Sequence, residues 1–243
     1  LNGVEAMRTK WSVQREAVLD EIEASLPYPV FVKPACLGSS IGVSRADSRE
    51  QLQEALELAF SYDRRVLVEQ GLDKPVEINC SVLGYDGEAE TSVLEMPLTD
   101  TGTLGFEEKY LRGSNSSKGM ASMGRVLEPD IGDETAEHIR SLATDIFHAL
   151  DCKGVVRIDF MIDRHTGKVY ITEINTIPGS MAYYLWAKKG VTYTSLIDRM
   201  VSYAMKAQRE KDECSYAFRS DILKNVQLEG GSGKSGAAKG VKV

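Results

Sequence analysis

Arg157 and Asp159 lie in one short stretch, residues 155–163, and Glu173 and Asn175 in the next, residues 168–175. Both stretches alternate apolar and polar residues, the period of a strand whose two faces differ. Arg164-His165-Thr166-Gly167 between them has turn composition, so the spacing predicts a β-hairpin. In that hairpin the alternation puts Arg157, Asp159, Glu173 and Asn175 on matching faces. Two carboxylates and an amide form an all-oxygen donor set for a hard cation such as Mg²⁺, which usually arrives with phosphates. This chemistry is that of an enzyme handling ATP. A strand pair with one solvated face has the same pattern, and the hairpin alone leaves both readings open.

Other residues could complete such a site. Lys33 follows a short apolar run, residues 30–32, and precedes Pro34 and the small-residue loop Ala35-Cys36-Leu37-Gly38-Ser39-Ser40-Ile41-Gly42. A fixed ammonium beside exposed N–H groups can clamp phosphate. The loop is no Walker motif, and a surface lysine at a turn looks the same. Glu69 ends one strand and Glu77 begins the next. Backbone groups at a strand end can meet an adenine and a carboxylate can bind ribose hydroxyls, yet two solvated glutamates fit as well. Lys109 and Tyr110 lie in a long aperiodic segment, residues 97–124, where a lysine could reach phosphate or a substrate carboxylate on closure, or simply face solvent. Asn175 leads into Thr176-Ile177-Pro178-Gly179, a turn that could bring backbone N–H groups to the metal.

The elements around these residues read as follows. Residues 8–24 have helical composition, stopped by Pro27 and Pro29. Ser48 and Gln51 resemble a capping box opening a helix with Leu52, Ala55, Leu56, Ala59 and Phe60 inward. Residues 66–69 form a strand. Residues 77–83 and 91–95 form a hairpin about Asp86-Gly87. Asp133 caps a helix with Ile139, Leu142, Ile146 and Leu150 as core positions. A last helix, residues 194–209, puts Leu196, Ile197, Met200, Val201, Ala204 and Met205 on one face. Residues 230–243 are Gly, Ser, Ala and Lys with almost nothing apolar, and read as a flexible appended linker or tag. The order predicts an α+β fold with a largely antiparallel sheet.

With 243 residues and 42% hydrophobic content the chain can bury a sizeable core. A net charge of −7 argues against an electrostatic nucleic-acid binder. No apolar run has membrane-spanning length, and no signal peptide is visible. The chain lacks an initiator Met and reads as starting partway into a longer protein. Cys36, Cys80, Cys152 and Cys214 form no C-x-x-C pair and read as reduced core thiols of a cytosolic protein. His138, His148 and His165 lack zinc-motif spacing.

As an ordered set, these residues resemble the ATP-grasp superfamily, and within it the D-alanine–D-alanine ligases. The matching segments are Val30-Phe31-Val32-Lys33-Pro34-Ala35 with Leu37-Gly38-Ser39-Ser40-Ile41-Gly42, then Glu69-Gln70-Gly71-Leu72, Glu108-Lys109-Tyr110, Arg157-Ile158-Asp159-Phe160, and Glu173-Ile174-Asn175-Thr176-Ile177-Pro178-Gly179. The resemblance covers residues 30–209. It implies an ATP-grasp fold, with a small α/β lid subdomain at residues 30–72 and a larger, mainly antiparallel sheet with helices at residues 73–209. Residues 1–29 would be a helical lead-in, the remnant of the junction to a missing N-terminal domain, and residues 210–229 a C-terminal extension.

The resemblance also implies roles. Lys33 and Lys109 would bind ATP phosphates and Ser39 and Ser40 the flexible lid loop over them. Glu69 and Leu72 would form the adenine hinge and Glu77 the ribose ligand. Asp159, Glu173 and Asn175 would hold two Mg²⁺ ions, for which Mn²⁺ could substitute. Arg157 and the Gly179 backbone would stabilise a tetrahedral intermediate, with Lys109 and Tyr110 closing over the substrates. Ser40, Tyr110, Gly179, Tyr184 and Leu185 would face the amino acids. The implied enzyme is a cytoplasmic ligase that joins two small amino acids through an acyl phosphate for peptidoglycan synthesis. It would contact no nucleic acid or membrane, and the full-length protein would be a homodimer.

Three departures stand out. The family's N-terminal domain is almost absent. Ala6 stands where the family has a phosphate-binding lysine. Tyr184 replaces a serine that helps bind the second substrate's carboxylate. These leave two rival readings, a non-catalytic Mg-ATP-binding module or pseudo-ligase, and a ligase for another amino-acid pair.

Overall fold

The computed structural model describes residues 1–98 and 124–215, so Lys109, Tyr110 and residues 230–243 lie outside the described residues. The described residues up to 204 belong to one compact unit, and described residues 205–215 to a second.

Alternating valines build a small sheet. Its strands are β1 (Gly3–Met7), β2 (Val30–Pro34), β3 (Ser44–Ala46) and β4 (Arg65–Gln70), in the order β1-β4-β2-β3. Val30, Val32, Val66 and Val68 are fully buried on one face. They form one core with Leu19 and Ile22 of α2 (Arg15–Ser25) and Leu52, Leu56 and Ala59 of α3 (Arg49–Tyr62). Each such side chain stabilises by about 1.5–3 kcal/mol on burial. Phe31, Lys33, Leu67 and Glu69 alternate onto the opposite face.

The helix signals were mostly sound. Ser48 caps α3 by accepting from Gln51 N, and Gln51 Oε1 accepts from Asp47 N at 2.8 Å, one residue further back than in a standard box. The lead-in differs from its expectation. Residues 3–7 form an edge strand, and the helix is broken into α1 (Arg8–Trp11) and α2. Ser12 donates to Thr9 O at 2.9 Å, and buried Trp11 stacks on Phe60, which turns the chain before α2 begins.

The large sheet has the order β7-β6-β5-β8-β9, and every strand pairing among the described residues is antiparallel. Its strands are β5 (Val76–Tyr85), β6 (Glu88–Pro97), β7 (Arg125–Leu127), β8 (Gly154–Ile162) and β9 (Val169–Asn175). Asp86 and Gly87 have φ of 46° and 81°, the double left-handed turn that an Asp-Gly hairpin needs. Gly84 is required for a different reason: a Cβ there would lie 2.1 Å from the Glu88 carbonyl oxygen. Gly84→Ala should therefore lower stability by about 1–3 kcal/mol, seen as an earlier urea midpoint.

One face of this sheet packs on α4 (Asp133–Ala149). Ile139, Ala143 and Phe147 meet Ile78, Cys80, Val82, Leu94, Val156, Ile158 and Phe160. Ile139 is buried as expected, but the stripe then runs through Ala143 and Phe147: Leu142 and Ile146 are at its margin and Leu150 is exposed beyond the helix end. Asp133 is the first helical residue and not the cap, which is Gly132; its charge still suits the first turn. Two short elements follow β9, a 3₁₀ turn (Gly179–Ala182) and α5 (Tyr183–Lys188), and then α6 (Tyr193–Glu213). On α6, Leu196 and Tyr203 are buried, whereas Val201 and Met205 are 53% and 56% exposed. The helix is rolled so that Leu196, Arg199 and Tyr203 face inward. Arg199 reaches Glu90 at 2.9 Å and Tyr203 stacks on Tyr85. No helix among the described residues is long and apolar enough to cross a membrane.

The cysteines are not all core residues. Cys80 is buried, Cys152 half-buried, and Cys36 and Cys214 exposed; all four are free. Burial pushes the Cys80 thiol up to about 12 and raises Cys152 too. A disulfide-exchange reagent at neutral pH should consume Cys36 and Cys214 quickly, Cys152 more slowly, and Cys80 only on unfolding. Fast modification of all four thiols in the native protein would contradict this burial.

Candidate active site

The second face of the large sheet is polar. Residues that alternate with the α4-facing set align across it through the register: Glu173 with Asp159, Asp159 with Asn79, Asn79 with Glu95 and Glu95 with Leu127. A second row runs Asn175, Arg157, Ser81. The hairpin expected from the sequence therefore exists, and its four polar residues share a face. A bulge after Asp159 preserves this: Phe160 pairs with Ile171, and the extra residue, Thr172, donates to Asp159 O at 2.9 Å.

The four side chains bond to one another. Arg157 grips Asp159 with two parallel bonds, Nε to Oδ1 at 2.7 Å and Nη2 to Oδ2 at 2.8 Å. Asn175 Nδ2 donates to Asp159 Oδ2 at 3.1 Å and to Glu173 Oε1 at 3.2 Å. Burial pushes Asp159 up to about 6, against the pull of Arg157. For Arg157, burial disfavours the charge, but Asp159 more than offsets it and its pKa is raised. The donors are all oxygen, with two carboxylates spanned by one amide, and a half-turn of that amide presents Oδ1. This set fits a hard divalent cation such as Mg²⁺ better than zinc, which favours nitrogen and sulfur.

On the small sheet, Lys33 Nζ donates to the Glu69 carboxylate across β2 and β4, so the expected phosphate lysine and hinge glutamate are joined. Ser39 and Ser40 follow β2 with φ of 56° and 59°. Leu72 lies just past β4 and Glu77 near the start of β5, both half-buried. Ala6 faces the helix-packed core of this sheet.

Beyond β9 the backbone is strained. Ser180, Met181 and Ala182 have φ of 52°, 53° and 48°, three left-handed non-glycine residues in succession. Each such residue costs on the order of 1–3 kcal/mol and must be held by its surroundings. Here Ala182 and Leu185 are fully buried with Val93. Leu185 is thus a core side chain, and only its backbone remains to meet a ligand. Trp186 Nε1 donates to Ser81 Oγ at 3.0 Å, and the Tyr184 hydroxyl donates to Glu95 Oε2 at 2.6 Å. Burial and this bond to Glu95 raise the Tyr184 pKa.

Asn79, Glu95 and Arg125 were missed by sequence reasoning. Asn79 and Ser81 at alternate positions of an otherwise apolar strand were the available signal for a polar second face. Arg125 had none.

Residues 4–202 match the family model described as D-ala D-ala ligase C-terminus. The D-alanine–D-alanine ligase of Thermosipho africanus is 36% identical over 205 residues, covering 84% of this chain and 54% of the relative. That of Acetivibrio thermocellus is 40% identical over 195 residues, covering 79% and 49%. Among solved structures, the VanG D-Ala:D-Ser ligase from Enterococcus faecalis superposes with a TM-score of 0.67 at 28% identity, over 83% of this chain and 56% of that one. D-alanyl-alanine synthetase A from Vibrio cholerae gives 0.68 at 26%, over 83% and 59%. The chain spans about half the length of the curated relatives it matches. It belongs to the family of the D-alanine–D-alanine ligase C-terminus, with the ATP-grasp fold of those ligases.

Proposed function

We propose that this chain is the nucleotide-binding and catalytic part of an ATP-dependent carboxylate–amine ligase of the D-alanine–D-alanine type. The observation that carries this reading is the register that sets Arg157, Asp159, Glu173 and Asn175 on one face, mutually bonded.

The reaction has two steps. The carboxylate of one amino acid attacks the γ-phosphate of ATP, giving an acyl phosphate and ADP. The amine of a second attacks the acyl carbon, phosphate leaves, and an amide forms. Asp159, Glu173 and Asn175 would hold Mg²⁺, or Mn²⁺ in its place. The bound ion supplies charge neutralisation at the phosphates. Lys33 would exchange Glu69 for phosphate, freeing Glu69 and Leu72 for the adenine, while Glu77 takes the ribose and Ser39 and Ser40 cover the phosphates. Lys109 and Tyr110 would close over both substrates. Arg157 and the Gly179 N–H suit the developing oxyanion, because both are fixed before the reaction begins. Such an enzyme works in the cytoplasm, and its dipeptide serves peptidoglycan assembly.

The test is phosphate release from ATP and Mg²⁺ with D-alanine. Amino-acid-dependent release supports the ligase. A second reading, a Mg-ATP-binding module without ligation, is favoured by the core-facing Ala6. It predicts nucleotide binding with no release for any amino acid in a screen.

A further inference from the structure

The chain crosses from the small sheet to the large sheet once, through residues 71–75, between β4 and β5. This crossing carries Leu72 of the expected adenine hinge and leads to Glu77. Its first residue is tied to the small-sheet side, where Gly71 N donates to Pro29 O at 2.7 Å. Near its far end Lys74 has a φ of 43°, left-handed backbone at a non-glycine residue. Pro75 follows, and the residue before a proline ordinarily takes extended backbone. Lys74 is unfavourable on both counts, so something outside the crossing must hold it.

The turn of the metal-site hairpin does so. Arg164 Nε donates to Lys74 O at 2.6 Å, across 90 positions of sequence. Register explains the meeting: Val76 pairs with Ile162, so residues just before β5 face residues just after β8. His165 Nε2 lies 3.8 Å from Asp73 Oδ2 across the same gap, a weak pair because both side chains are exposed. Arg164 itself stands on a firm base. The Asp163 carboxylate accepts from His165 N at 2.8 Å and from Thr166 Oγ1 at 2.7 Å, and the Asp163 carbonyl accepts from Gly167 N at 2.8 Å. This turn lies about 13 Å along β8 from Asp159. One hairpin thus carries the metal ligands toward one end and grips the crossing with the other.

We propose that Arg164 is a positioning residue for the nucleoside. It touches no substrate. It fixes the Lys74 carbonyl, and through it the backbone of Leu72 and the start of β5 with Glu77, at a set distance from Asp159, Glu173 and Asn175. This rests on the nucleotide site proposed above and names what sets its base end against its phosphate end. A bond from a guanidinium to a carbonyl is stronger than a neutral one. Without it, Lys74 is free to relax to the extended backbone that Pro75 favours, and Leu72 moves with it.

Competition titrations of the full chain with Mg²⁺ test this, using a non-hydrolysable ATP analogue and tripolyphosphate, which has the phosphates without the nucleoside. The ratio of the two affinities reads the nucleoside's share of binding. Arg164→Gln should weaken the analogue about five- to tenfold and leave tripolyphosphate within about twofold of wild type. Arg164→Lys, which keeps a cation, should recover part of the ratio. Lys74→Ala, which keeps the accepting carbonyl, should retain all of it. An unchanged ratio in Arg164→Gln would overturn the assignment while leaving the nucleotide site intact. An equal loss for both ligands would overturn it too, because Arg164 would then support the whole site and not its nucleoside end. Failure of the wild type to bind the analogue would overturn the nucleotide site itself and this role with it.

Discussion

Asp159→Asn is expected to lower affinity for Mg²⁺ and ATP together by at least about 10–100-fold, the range seen even for residues one step removed from a metal. Asp159 is the hub of the site: it shares both oxygens with Arg157 and one with Asn175. Asn keeps its shape but removes its charge. The hairpin should still form, because β8 and β9 are held by their ladder and by Ile158, Phe160 and Ile174 against α4. Asp159→Ala goes further. It leaves the Arg157 guanidinium, only 14% exposed, without a counter-charge, a loss of about 3–5 kcal/mol. The pair of variants separates two effects: binding falls in both, but a large drop in thermal midpoint belongs to the Ala variant. Glu173→Gln should resemble the Asn variant with less loss of stability, since Glu173 is exposed and accepts only from Asn175 among the bonds described. Calorimetric titration with the metal and a non-hydrolysable nucleotide decides the matter. Wild-type affinity in both Asp159→Asn and Glu173→Gln would remove these residues from the metal site.

The contrast between this hairpin and the rest of the polar face shows what local pattern can reveal. Period-2 alternation, a four-residue turn and two strands adjacent in sequence determine which residues share a face, and so Arg157, Asp159, Glu173 and Asn175 were legible. The same logic found the Asp86-Gly87 hairpin and the cap at Ser48. Glu95 and Arg125 meet only because the chain returns to pair β7 with β6, and no local pattern encodes that return. The pairing of Lys33 with Glu69 likewise follows from β2 lying beside β4, with α3 between them in sequence. On α4 the stripe was right at Ile139 but one position off after it, because Ala143 and Phe147 compete with Leu142 and Ile146 for the inward side. Packing volume settles such a choice, not periodicity. β1 escaped notice because Val4 and Ala6 are too few to mark a strand, and only β4 beside it makes it one.

Glu95→Ala should be among the most destabilising single changes in the described fold, by about 3–5 kcal/mol. Three donors converge on this carboxylate, Arg125, Asn79 and the Tyr184 hydroxyl, and its removal leaves all three facing a cavity. Glu95→Gln is milder but not neutral. If the amide oxygen takes the Asn79 and Tyr184 protons, the amide nitrogen must face Arg125, donor against donor. Tyr184→Phe removes only one donor and leaves Glu95 bonded on both oxygens, so it should cost about 1–2 kcal/mol. Urea denaturation of the three variants and of Glu95→Gln with Tyr184→Phe supplies the comparison. The double variant should be less destabilised than the sum of the singles, because the two residues share one bond. The consequence reaches beyond stability. Tyr184 is the second residue of α5, directly after the left-handed run Ser180–Ala182, and its bond to Glu95 fixes that run to the sheet beside Trp186 and Ser81. Loosening it should release the strained turn and with it the Gly179 N–H. On the proposed ligase reading, Glu95→Gln should therefore slow amide formation more than it weakens nucleotide binding. Equal losses in the two would mean that Glu95 only stabilises the fold.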